Sequence, residues 1–157
     1  MDRRWWEVRQ DQFAVRHDVR VRYNEIDGQN IVFNGNYLIY ADIGVTELFR
    51  ALGEGQPGPF FAQYGSDIVV VNADIDYHAS AELDDMLTIA ARVARFGRTS
   101  FVIHVAIFRG EQRLTDMALT YAHVMADRSA SMPLPALFIA DVRAFQPLAP
   151  EQAAPKA

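Results

Sequence analysis

Asp27 lies in the stretch Tyr23-Asn24-Glu25-Ile26-Asp27-Gly28-Gln29-Asn30-Ile31-Val32-Phe33-Asn34-Gly35-Asn36, between a strand pattern and the start of a long helical pattern. A helix N-terminus presents unpaired N–H groups and a partial positive charge, which suits an oxyanion. A carboxylate beside it can act as a base or a nucleophile. On residue types alone, Asp27-Gly28 reads first as a turn and Asp27 as a turn carboxylate, with catalysis as the alternative. Gly53-Glu54-Gly55-Gln56-Pro57-Gly58 matches G-x-G-x-x-G, but it follows a helix pattern and holds a proline where a helix would begin, so it is read as a loop. The four histidines, His17, His78, His104 and His123, have no i,i+4 partner and no cysteine nearby, so they read as strand residues and no metal is expected. No serine sits in a G-x-S-x-G elbow. Asp84-Asp85 reads as an exposed hairpin turn.

The elements that must position Asp27 follow from hydrophobic period. Residues 13–23 alternate Phe13, Val15, His17, Val19, Val21 and Tyr23 with mostly polar neighbours, a strand with one wet face. Asn34 or Asn36 then offers a helix N-cap. Tyr37, Tyr40, Ala41, Gly44, Val45, Leu48, Phe49 and Leu52 recur at helical spacing, and Gly53 ends the pattern. Ile39 and Ile43 widen the apolar stripe, which predicts a helix embraced by a curved sheet, and Gly44 in mid-helix predicts close approach by a strand. A Gly- and Pro-rich stretch, 53–65, carries Phe60, Phe61 and Tyr64, available to cover a pocket. Runs 68–77, 86–96, 99–109 and 113–126 read as strands, the last three an antiparallel meander. A short helix is expected within 133–146, and 147–157 reads as a flexible tail after a single domain at 1–146.

The layout is α+β, with one substantial helix for a five-stranded sheet. Both faces of run 99–109 are apolar, so the face away from the helix is expected to meet a second copy of the chain. At 157 residues and 50% apolar content the chain can bury a core without a disulfide, and it has no cysteine for thiol chemistry. Net charge −5 argues against a nucleic-acid surface, while 14 of the 15 basic residues are Arg, which suits a local phosphate site. No apolar run approaches the ~20 residues of a membrane span. The start, Met-Asp-Arg-Arg-Trp-Trp, lacks the apolar stretch of a secretory leader, so the cytoplasm is expected.

The stretch from Tyr23 to Tyr37, with a helix ending Glu47-Leu48-Phe49-Arg50-Ala51-Leu52-Gly53, resembles the signature of hot-dog fold acyl-CoA thioesterases of the 4-hydroxybenzoyl-CoA type. Ile75-Asp76-Tyr77-His78, Gly97-Arg98-Thr99-Ser100-Phe101 and Pro133-Leu134-Pro135 extend the likeness over residues 13–140. It implies a sheet wrapped around one long central helix, no cofactor or metal, and hydrolysis of an acyl-CoA. The key carboxylate falls on Asp27, as base or nucleophile, and the oxyanion donors on the N–H groups of Asn34 and Gly35. The site would lie at a subunit interface, in a homodimer or a tetramer of dimers.

Two positions depart from that pattern. Asn30 stands where a glycine is usual and can also adopt the left-handed conformation. Asn34 stands where many members carry His, and its amide would either touch substrate or cap the helix. Glu25 would either share a proton with Asp27 or orient the loop, and the second reading is preferred. For the phosphates of coenzyme A, Arg98 in the Gly97-Arg98 hairpin is the first candidate, followed by Arg95 and Arg128. A hot-dog hydratase would need a His in or beside the helix, and residues 24–53 contain none. A non-catalytic acyl-thioester-binding or structural hot-dog protein is the remaining alternative.

Overall fold

The predicted helix forms as α1, Asn36–Leu52, and buries Tyr37, Tyr40, Ala41, Gly44, Val45 and Leu48, one stripe at i, i+3, i+4 and i+7 spacing. The computed structural model describes residues 1–55 and 59–154, so residues 56–58 of the glycine-rich loop and the last three residues lie outside the described residues. The strands are β1 (Val15–Arg20), β2 (Ser66–Tyr77), β3 (Met86–Phe96), β4 (Ser100–Arg109) and β5 (Gln112–Met125), and a second helix, α2, spans Ala136–Phe145. They form one sheet in the order β1-β3-β4-β5-β2, in which β3, β4 and β5 are the predicted antiparallel meander. The first strand is shorter than its alternation suggests. Phe13 folds onto the outer face of the sheet against Phe108 and His104, and beyond Val21 the chain enters a 3-10 turn at Tyr23–Glu25.

The sheet curves around α1, and Gly44 marks the close approach. A Cβ there would come within 2.8 Å of Ile89 Cγ2 on β3, which has no space to retreat because Ile89 is fully buried. Gly44→Ala is therefore expected to lower stability by about 1 kcal/mol, overpacking outweighing the gain in helix propensity. A urea titration checks the sign. The embrace is incomplete: Leu38 and Ile39 remain exposed on the outward side of α1. Phe60, Phe61 and Tyr64 form a 3-10 turn that packs with Phe49, Phe101 and Phe138 at the C-terminal end of α1. They plug the core there instead of covering the Asp27 end, ~25 Å away along the helix.

Two further expectations are corrected. The outer face of the sheet is not left for a second copy, because the chain's own first residues cover it. Trp5, Val8 and Phe13 are buried there against Ala90, Ala94, Ala106, Phe108 and Ala118. Nor is the stretch after residue 146 a free tail. β1 stops opposite Ala91, leaving the end of β3 unpaired on that side. A short strand β6 (Glu151–Gln152) runs parallel to Arg95 and Phe96, making the sheet six-stranded. Between the two, the side chain of Gln146 pairs with β3 like a strand residue. Its Oε1 accepts from the Val93 N–H at 3.1 Å and its Nε2 donates to the Val93 carbonyl at 2.8 Å. Gln146→Ala would strand two buried backbone groups, with an expected loss of about 2 kcal/mol in chemical unfolding.

Candidate active site

Asp27 is half-buried in a tight turn between an isolated bridge pair, Ile26 and Val32. The Asn30 N–H donates to the Asp27 carbonyl at 2.9 Å, and the Asp27 N–H donates to the Ile31 carbonyl at 2.9 Å. Asn30 has φ 61°, the left-handed conformation that its residue type tolerates. The Gln29 N–H donates to Asp27 Oδ1 at 2.8 Å, which fixes the carboxylate, while Oδ2 accepts no hydrogen bond among the described residues. One oxygen is a tether and the other is available for chemistry.

Below this turn, Glu25 does the orienting expected of it. It is buried and accepts the Arg22 N–H at 2.8 Å, the Arg22 guanidinium at 2.7 Å and the Tyr40 hydroxyl at 2.7 Å. Burial alone would raise its pKa, but these donors hold it below the usual carboxylate range. Its backbone carbonyl accepts from the Phe33 N–H at 2.9 Å and from Asn36 Nδ2 at 2.8 Å, so one residue ties the turn to the start of α1.

The cap of α1 is Gly35, with no side-chain hydrogen bond, which corrects the expectation of an Asn34 or Asn36 cap. The N–H groups of Asn36, Tyr37 and Leu38 turn back to the carbonyls of Phe33, Asn34 and Gly35 at 2.9, 3.4 and 3.3 Å. The N–H groups of Asn34 and Gly35 find no such acceptor among the described residues. The unused donors thus sit one step ahead of the helix proper, and the Asn34 amide side chain is free of a capping task.

Asp27 and Asn34 line one small cleft of about 190 Å³, together with Gln29, Tyr37, Tyr77 and Ser80. Sequence pattern alone does not mark Tyr77 and Tyr37 as site residues. Their roles depend on β2 and the segment after it reaching back over α1, with the Tyr77 hydroxyl donating to the Asn34 carbonyl at 3.0 Å and the Tyr37 hydroxyl accepting from the Ala81 N–H at 3.0 Å. The three arginines are not at this cleft. Arg128 pairs with Asp67 at the start of β2 at 2.9 Å, and Arg95 pairs with Glu151 at 3.5 Å. Arg98 is exposed in the β3–β4 hairpin, without an ion pair among the described residues. Arg128 and Arg98 lie toward the end of the sheet where β2 begins, whereas the cleft lies where it ends, roughly 35 Å along the strand, and Arg95 sits level with Asn72 in the middle of β2.

Asp27 and Asn34 thus share a cleft at the N-terminal end of the embraced helix. The family model of the thioesterase superfamily matches residues 29–115, beginning two residues after Asp27 and including Asn34, Gly35 and Tyr77. The chain belongs to the thioesterase superfamily. This thioesterase is 29% identical over 103 residues to the acyl-CoA thioester hydrolase YbgC of Escherichia coli O157:H7, covering 66% of this chain and 75% of that protein. Its fold matches the thioesterase superfamily structure from Jannaschia sp. CCS1 with TM-score 0.79 at 20% identity, over 90% of this chain and 98% of the other. The 4-hydroxybenzoyl CoA thioesterase from Pseudomonas sp. strain CBS-3 matches with TM-score 0.69 at 21% identity, over 81% and 97%. The architecture is the expected α+β hot-dog, an antiparallel sheet around one long helix. Among the described residues no helix is long and apolar enough to cross a membrane.

Proposed function

We propose that this thioesterase hydrolyses an acyl-CoA, with water cleaving the C–S bond to give the free acid and the CoA thiol. Asp27 Oδ2 takes a proton from the attacking water or attacks the carbonyl carbon itself. The Asn34 and Gly35 N–H groups receive the negative charge that develops on the carbonyl oxygen. The observation that carries this reading is the shared cleft of Asp27 and Asn34, with one carboxylate oxygen tethered and the other free. A hydrolase of acyl-CoA thioesters among the relatives supports the substrate class.

The active form in this reading is a dimer. β2 is an edge strand, and Val70 and Val71 are 55% and 59% exposed at its bulged centre. A long apolar edge invites pairing with another chain. Antiparallel pairing of two β2 strands about that centre would bring the beginning of one copy's β2, and with it the Arg128 and Arg98 region, toward the cleft of the other. Two arginines would then meet the CoA phosphates across the interface, which reconciles their distance from Asp27 within one chain. Release of free thiol from a panel of acyl-CoA thioesters by the purified protein tests the activity. A panel in which every member is bound but none is turned over would replace hydrolysis with the binding-protein reading.

A further inference from the structure

Tyr77 reaches the candidate oxyanion site from the sheet. Its backbone is held opposite Thr115 in the β2–β5 ladder, and its hydroxyl donates to the Asn34 carbonyl, 43 residues earlier, at 3.0 Å. Its ring stands edge-on to that of Tyr37 at 5.4 Å. Tyr37 is itself fixed, buried on α1 with its hydroxyl bonded to the Ala81 N–H. The Tyr77 side chain is thus a strut between a rigid ladder and the loop ahead of α1. Only one other donor reaches the Asn34 carbonyl among the described residues, the Tyr37 N–H at a longer 3.4 Å.

The Asn34 carbonyl and the Gly35 N–H belong to the same peptide unit. A peptide is planar, and in its trans form the N–H points opposite to the C=O. Holding the carbonyl toward Tyr77 therefore turns the Gly35 N–H the other way, and a hydrogen bond received by a carbonyl polarises the amide that carries it. A Cβ at Gly35 would lie 2.9 Å from the Phe33 ring, so the position takes glycine, and no Gly35 side chain fixes the peptide plane. We propose that Tyr77 is a positioning residue for hydrolysis: its hydroxyl sets the Asn34–Gly35 peptide plane and so aims the Gly35 N–H at the oxygen that becomes negative. This rests on the reading of that N–H as an oxyanion donor. It adds a residue 50 positions beyond Asp27 whose hydroxyl acts on the peptide and not on the substrate.

The test is Tyr77→Phe in the full chain, which keeps the ring and removes only the hydroxyl. A misaimed donor is expected to lower kcat about tenfold, less than the 10²–10³-fold typical of losing a donor outright. KM should stay within about twofold, because the ground-state carbonyl makes less use of the donor than the transition state does. The Gly35 amide proton should move upfield in the 15N–1H spectrum as its peptide loses polarisation. A thermal melt matching the wild type confirms that the fold is intact. A wild-type kcat in Tyr77→Phe, with Asp27→Asn inactive, overturns the role of Tyr77 and leaves the proposed function standing. A raised KM at unchanged kcat, or a lowered kcat with the Gly35 amide unmoved, also overturns it, because Tyr77 would then act on the substrate. Absence of turnover by the wild type on every acyl-CoA is the distinct outcome that removes the proposed function, and the role of Tyr77 with it.

Discussion

Asp27→Asn is expected to lower kcat on any accepted acyl-CoA by roughly 10³-fold, within the range that a positioned base supplies. The substitution is conservative in the right place. An Asn side-chain oxygen can still accept the Gln29 N–H that holds Asp27 Oδ1, so the turn keeps its tether. The left-handed Asn30 and the Asp27–Ile31 and Asn30–Asp27 backbone bonds do not involve the carboxylate at all. Only the second oxygen changes, from a basic, unpaired atom to an amide that can neither take a proton nor attack. Assay by thiol release, with a melt to confirm the fold, gives the result directly. Activity within a few fold of wild type would remove Asp27 from the chemistry.

Asp116→Ala is expected to cost about 3–5 kcal/mol of stability, the loss typical of removing one partner from a buried ion pair. Asp116 is fully buried and is the acceptor on which three donors converge. His104 Nε2 lies 2.6 Å and Arg113 Nη1 2.6 Å from Oδ1, and His78 Nε2 lies 2.9 Å from Oδ2. Removing it leaves the Arg113 guanidinium without its carboxylate under the N-terminal cover and His104 with no partner. Urea unfolding of the variant measures the loss, and a change below 1 kcal/mol would show that the cluster relaxes to solvent.

The same cluster sets the acid limit of the fold. Burial lowers the pKa of His104 to about 4, against the hydrogen bond and charge of Asp116, so the folded imidazole is neutral and donates its Nε2–H to the carboxylate. The unfolded imidazole takes up a proton near its ordinary value of about 6.5. Between about pH 6.5 and 4 the unfolded chain thus binds the extra proton, and stability falls as pH drops, by an amount on the order of 3 kcal/mol. For Asp116, burial would raise the pKa, but the bonds and charges of His104 and Arg113 hold it below the ordinary carboxylate range. Its contribution is present above the unfolded value and is lost only as pH falls through the lower folded value. His104→Asn should flatten the stability profile between pH 6.5 and 4 while leaving the lower limb in place.

The contrast between these two clusters explains what a single chain of letters reveals. The Asp27 turn is local: turn residues, a residue that tolerates positive φ and a helix start follow each other within a dozen positions, and each carries its own propensity. The helix and the strands of the meander announce themselves for the same reason, through a period that any window displays. The Asp116 hub is different, since residues 78, 104, 113 and 116 meet only through the registers of β4 against β5 and β5 against β2. Two of the four histidines that stand isolated in the sequence, His78 and His104, share one acid. Gln146 is equally silent, because a side chain that stands in for a strand has no periodic signature. The outer face misled for a physical reason too: an apolar face demands a cover, but composition does not say whether the cover comes from another copy or from residues 5–13 of the same one.

That cover holds both tryptophans of the chain, Trp5 stacked on His104 at 5.5 Å between ring centroids and Trp6 edge-on to His78 at 4.9 Å. Indole emission therefore comes from the N-terminal strap alone, on the far side of the sheet from Asp27. A fluorescence trace of this protein reports whether the strap is seated on the sheet. The tyrosines of the helix and cleft, Tyr37, Tyr40 and Tyr77, supply a second optical signal from the opposite face, so the two sides of one sheet can be followed separately in the same cuvette.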